Sequence, residues 1–149
     1  MGNFNESIKI GEYIELKILD IIKEKYPNAY KVEGYFKDYD IFIPEKNLKI
    51  EIKFDKKSIY TGNFVVEIEM YNKPSALFVT KADYWIFYDG FELMYIKPID
   101  LKDIIIWNEL KAVKFIGIGD TESKRAILVP KHLIRAKSKI KEWILPQTT

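Results

Sequence analysis

The sequence predicts a layered α/β domain of the α+β kind, a central mixed β-sheet flanked by helices. Three observations lead there. Ile10, Ile14, Ile18, Ile21 and Ile22 recur at helical spacing near the start of the chain. Leu48–Phe54 and Phe64–Met70 alternate apolar with charged or smaller side chains, the signature of strands with one buried face. A hydrophobic content of 48% and an aromatic content of 15% supply a core for 149 residues, the length of one domain. No repeat, low-complexity tract or linker divides the chain, so residues 1–149 are expected to form a single unit.

The elements follow in order. A helix is predicted over Glu6–Lys25, capped by Asn5 or Ser7 and stopped at Pro27-Asn28. Strands follow at Tyr30–Phe36, Asp40–Pro44 and Leu48–Phe54, the last two joined by a turn at Glu45-Lys46-Asn47. Asp55–Asn63 is polar and reads as a loop. On the Phe64–Met70 strand, Phe64, Val66, Ile68 and Met70 share one face. Pro74–Thr80 suggests a short helix that Ser75 would cap. Tyr84–Tyr88 and Phe91–Ile96 form a hairpin around Asp89-Gly90, a strong turn signal. Pro98–Leu110 reads as a helix, Val113–Ile118 and Ala126–Val129 as strands, and Lys131–Ile144 as a closing helix. The order of helix, strands, helix, strands and helix is that of a layered domain.

Composition excludes several chemistries. Without cysteine there are no disulfides, thiolate nucleophiles or cysteine zinc sites. One histidine, His132, cannot build a multi-histidine centre. A metal here is expected to be bound by oxygen, which points to magnesium or manganese. Met1–Glu6 lacks a secretory signal and no apolar run approaches a membrane span, so an intracellular, soluble protein with no membrane partner is expected. Residues 124–149 carry seven basic residues and one acid. That end is either a phosphate-binding surface or a solvated helix face.

Chemistry concentrates at Asp40 and at Glu51-Ile52-Lys53. Alternation puts Ile50, Ile52 and Phe54 on one face of their strand and Glu51 and Lys53 on the other. Two carboxylates and an ammonium then converge on one patch of sheet. A metal-dependent phosphodiesterase needs that set: oxygen ligands for a hard cation, and positive charge beside the attacked phosphate.

An acid-bearing N-terminal helix followed by a hairpin with Asp … Glu-x-Lys resembles the PD-(D/E)XK nucleases. The likeness spans roughly Ile8 to Tyr88. Within it, Gly11-Glu12-Tyr13-Ile14-Glu15 is similar to the Gly-x-x-x-Glu of resolvase-like members. Gly62–Glu67, Pro74–Leu77 and Thr80–Trp85 look like small nucleases of phages and mobile elements. Tyr39 stands where the family name has proline. The resemblance implies a restriction-endonuclease-like core and a magnesium-dependent DNA endonuclease leaving a 5′-phosphate, with manganese able to substitute. It implies Asp40, Glu51 and the Ile52 carbonyl as metal ligands. Lys53 would position the attacking water, and Glu15 would complete the catalytic set from the helix, with Glu12 the alternative. The short chain favours a structure-selective enzyme acting on branched DNA, like a Holliday junction resolvase or a phage recombination and repair nuclease. A sequence-specific restriction enzyme and a catalytically silent nucleic-acid-binding module are the other readings. Cleavage of two symmetric strands invites a homodimer, for which the Tyr84–Ile96 hairpin is one candidate surface and ordinary core burial the competing role. Glu67, Glu69, Asp38, Lys81 and Asp83 are expected to be structural or surface charges, with Lys81 also placed to touch a phosphate.

Overall fold

In the computed structural model, residues 4–34, 37–115 and 124–138 are described. Helix α1 spans Phe4–Lys23. It starts earlier than expected, so Asn5 and Ser7 stand inside it rather than ahead of it. Of its apolar spacing, Ile14, Ile18 and Ile22 are buried with Leu19 beside them, Ile21 is half-buried and Ile10 is exposed.

The chain then builds β1 (Tyr30–Lys31), β2 (Ile41–Ile43) and β3 (Leu48–Phe54). These pair as an antiparallel meander, with Ile41 opposite Ile50 and Ile43 opposite Leu48. The β2–β3 turn is a single 3₁₀ turn, Pro44–Lys46, closed by Asn47 at φ 52°, a left-handed position that asparagine tolerates well. Strand β1 is far shorter than expected, and Tyr35 and Phe36 lie outside the described residues.

The polar stretch after β3 holds a one-turn helix, α2 (Ser58–Thr61), before β4 (Asn63–Met70) and β5 (Lys73–Pro74). A 3₁₀ turn at Ala76–Phe78 stands where a short helix is expected. Its preceding Ser75 makes no cap bond; the hydroxyl donates instead to Glu67 at 2.6 Å. Strands β6 (Tyr84–Tyr88) and β7 (Leu93–Ile96) form the expected hairpin around Asp89-Gly90. Helix α3 covers Pro98–Trp107, β8 Ala112–Phe115, β9 Lys124–Pro130 and α4 Lys131–Lys137. The remainder of the predicted Val113–Ile118 strand and most of the closing helix, with Ile140, Trp143 and Ile144, lie outside the described residues.

The strands make two sheets, not one central sheet. The first has five strands in the order β1-β2-β3-β6-β7, mixed because β6 runs parallel to β3. The second is antiparallel, ordered β5-β4-β9-β8. Helix α1 covers one face of the first sheet, burying Ile41, Ile43, Ile50, Ile86 and Tyr95. The second sheet, with α3 and α4, covers the other face and encloses Phe64, Val66, Trp85, Phe87 and Ile134. The fold is thus mixed α and β, but only one face of the mixed sheet is flanked by a helix alone.

This packing also places the hairpin and the basic end. Strands β6 and β7 are largely buried, the core role weighed for the hairpin, while Phe91 at its tip is 85% exposed. The basic end is partly spent in ion pairs: Lys131 on Asp89, Arg135 on Glu92 at 2.8 Å and Lys124 on Glu67 at 3.1 Å.

Candidate active site

The site begins with how Asp40 is held. Its N–H donates to the Ile50 carbonyl at 2.8 Å, and its carbonyl accepts the Val32 N–H at 2.8 Å. Strand β2 pairing with β3 ends at Ile41–Ile50, so the next N–H along β3, that of Ile52, has no main-chain partner on this side. The Asp40 carboxylate supplies one: Oδ2 accepts the Ile52 N–H at 2.7 Å. N–H and C=O of one strand residue point the same way. The Ile52 carbonyl therefore also faces this fork, where β2 and β3 part. Asp40 precedes β2 rather than lying in it, and only 6% of it is exposed.

Three further groups converge on Asp40. Glu15 from α1 and Glu51 from β3 both act on its carboxyl. Lys37 Nζ lies 3.1 Å from Asp40 Oδ1 and 3.0 Å from Glu15 Oε1, joining the two acids. Lys31 Nζ approaches Glu15 at 3.6 Å. Lys53 Nζ stands 3.9 Å from Glu51 Oε2 and 4.9 Å above the Trp85 ring. The parallel register places Trp85 opposite Glu51, and its indole N–H donates to Thr80 Oγ1 at 3.0 Å. That indole is a fixed platform holding the Lys53 ammonium by cation–π attraction.

The electrostatics follow from crowding carboxyls in a part-buried place. Burial, reinforced by the Asp40 charge, pushes the Glu51 carboxyl up to about 8 against the pull of Lys53 and Lys37. Burial and Asp40 also raise Glu15. Burial opposes ionisation of Asp40 too, but hydrogen bonds from Glu15, the Ile52 N–H and Glu51, with the Lys37 charge, outweigh it and hold that carboxyl below its usual range. Lys37 is raised because its two carboxylate partners overcome the cost of burial. The cluster thus favours the charged form of Asp40 and the neutral forms of Glu51 and Glu15, the pattern of a site short of positive charge.

That shortage fits a divalent cation. Among the described residues no three acidic, His or Cys side chains form a ready-made cage. Lys37 bridges Glu15 and Asp40 on one side, while Glu51 meets Asp40 from the other. Asp40, Glu51 and the Ile52 carbonyl offer a partial shell of hard oxygens, which suits magnesium because it keeps several of its waters.

The structure therefore brings together Glu15, Asp40, Glu51, Lys53 and Ile52. Glu12 is exposed and lines a neighbouring cleft with Glu15 and Lys37; the contact to Asp40 is Glu15's. Glu67 belongs to the second sheet, paired with Ser75 and Lys124. Asp83 accepts the Lys49 N–H at 2.8 Å, and Lys81 lies 3.8 Å from Asp38; both are structural or surface contacts. Lys37 and Trp85 are the residues that sequence reasoning missed as members of the site. The spacing of Lys37 three residues before Asp40 is the available signal for the first. Nothing local marks the second, since its place depends on β6 pairing beside β3.

No family model, curated protein or solved structure matches the chain.

Proposed function

We propose that the chain is a divalent-metal-dependent DNA endonuclease of the PD-(D/E)XK kind, built as a single domain and working inside the cell with magnesium or manganese. The observation that carries this reading is the meeting of Asp40, Glu51 and Lys53 at the fork of β2 and β3, beside the outward-facing edge of Ile52. The α1–β1–β2–β3 meander with β6 parallel to β3 supports a restriction-endonuclease-like core, in which the crossover between the parallel strands runs through the second sheet.

Asp40, Glu51 and the Ile52 carbonyl would hold a divalent cation, which would neutralise charge at the phosphate and acidify the attacking water. The chain's own groups do the rest. Asp40 gives Oδ2 to the Ile52 N–H and Oδ1 to Lys37, so its orientation is fixed beforehand and a cation would displace Lys37 from Oδ1. Lys53, steadied over Trp85, donates to the attacking water and offsets charge that builds on the phosphate. Glu15 holds Lys37 and Lys31 at the rim, keeping cations near the incoming anion. The preferred substrate is branched DNA, cut by a homodimer.

The test is cleavage of labelled four-way junctions, flaps, single strands and duplexes with magnesium or manganese. Metal-dependent cutting with a 5′-phosphate product is expected. Asp40→Asn, Glu51→Gln and Lys53→Met should each lower it by about a hundredfold or more. Folded protein that cuts none of these substrates with either metal removes the proposal. The Lys37 bridge between Glu15 and Asp40 favours the second reading, a silent DNA-binding module whose acids are neutralised internally. In that case calorimetry with manganese shows no binding that Asp40→Ala abolishes.

A further inference from the structure

Beyond Ile50 the free edge of β3 opens into a cleft of about 640 Å³ that adjoins the carboxylate cluster. Ile10, Gly11 and Glu15 of α1 line it, as do Lys53 of β3 and Lys56 and Lys57 in the segment after it. Lys56 and Lys57 are exposed and form no ion pair among the described residues. Asp55, the acid between them and Lys53, turns its carboxylate to the Lys57 N–H at 3.0 Å. Against Glu15 and Asp55 the cleft thus sets three lysines, two of them exposed, adjacent and outside any described ion pair.

Gly11 is the second observation. It lies inside a 20-residue helix, where glycine is the poorest former after proline. A Cβ there would meet nothing within 4 Å, and its backbone is not in the left-handed region. Neither packing nor conformation asks for glycine. Its missing side chain keeps the floor of the cleft open one helical turn before Glu15. Ile10 and Val65, 52% and 41% exposed, add apolar surface alongside.

We propose that this cleft seats the sugar–phosphate backbone of a DNA strand. Lys56 and Lys57 neutralise the phosphates next to the one held at Asp40 and Glu51, and Gly11 is the point of closest approach. The assignment rests on the nuclease reading and adds the binding track to it. Neighbouring cations suit a repeating anion, whereas a small phosphate ligand would need only one of them.

The experiment is fluorescence anisotropy with fluorescein-labelled single-stranded and duplex DNA in EDTA, so that binding is read without cleavage, across a range of salt. For the Lys56→Ala/Lys57→Ala protein the slope of log affinity against log salt should shrink by about 1.5 to 2. A control with Lys25→Ala/Lys46→Ala, exposed lysines outside the cleft, should leave the slope unchanged. Gly11→Leu should weaken binding at least about tenfold with its melting temperature retained. Gly11→Ala should raise the melting temperature by about 2–4 °C and still weaken binding. An unchanged slope in the Lys56/Lys57 variant, or full-strength binding by Gly11→Leu, overturns the cleft assignment. If wild type cuts DNA while these variants bind like wild type, only the track is wrong. If wild type neither binds nor cuts, the nuclease reading falls and the track with it.

Discussion

The two oxygens of Asp40 have separate tasks: Oδ2 completes the hydrogen bonding of β3, and Oδ1 faces Lys37. The acids of the site were legible in the sequence because strand alternation fixes the face of Glu51 and Lys53, and an aspartate just before an apolar strand stands out. Lys37 left only its spacing, three residues before Asp40, as a signal, because a residue outside helix and strand leaves no period in a sequence. Glu51 carries the first prediction. Its carboxyl titrates near 8 in the fold against an ordinary 4.5, so the folded state holds the proton more tightly than the unfolded chain. That contribution to stability is full below about pH 4.5 and is lost as pH rises through about 8. Glu15, also raised, acts with the same sign. In EDTA, the wild-type melting temperature should therefore fall by several degrees between about pH 5 and pH 8.5. Glu51→Gln, which cannot ionise, should remove most of that fall. Thermal denaturation followed by circular dichroism decides it, and a flat wild-type profile contradicts the prediction.

At the level of elements, alternation was a dependable guide where a strand has one buried face. Strand β3 is found with the predicted bounds, and β4 begins only one residue early. Short pieces were harder. Strand β1 has two residues, held by its neighbour rather than by its own pattern. The β6–β7 turn holds more than a turn residue suggests. Asp89 is only 3% exposed, and its carboxylate accepts the N–H groups of Phe91 and Glu92, both at 2.7 Å, and pairs with Lys131 on α4. It thereby ties the hairpin to the last described helix. Burial works against its charge, but those three donors outweigh it and hold the carboxyl below its usual range. Removing it leaves Lys131 and two N–H groups without their acceptor, so Asp89→Ala should cost about 3 kcal/mol or more in urea denaturation at neutral pH. Because the folded-state pKa is depressed, this stabilisation is complete above an ordinary carboxylate pKa and is lost as pH falls through the folded value. The deficit of the variant should accordingly narrow in acid. A deficit independent of pH would mean that the turn, not the charge, matters.

For the molecule as a whole, the mixture of helix and strand was legible and the division into two sheets was not. A period of two says that one face is covered; it does not say by what. The cover comes from β4 pairing with β9, where Asn63 meets Pro130 and Phe64 meets Val129 across a long stretch of chain. The proposed metal site also draws on the whole fold, because Asp40 stands just before β2 and Glu51 and Ile52 lie on β3. At a hundredfold excess over its dissociation constant, magnesium or manganese should stabilise the protein by about 2.7 kcal/mol, raising the melting temperature by about 5–10 °C. Asp40→Ala should abolish that rise, as differential scanning calorimetry can establish. The route from β3 to β6 has a consequence for synthesis. During translation the carboxylate fork is complete once β3 has emerged, yet the apolar underside of the neighbouring hairpin waits for a ribbon encoded some forty residues later, at Lys124–Pro130. A chain cut after Phe115 should therefore carry every proposed ligand and still fail to fold. It would expose Trp85, Phe87 and Phe64 to water, bind hydrophobic dyes and precipitate, so the last strand made protects chemistry it never touches.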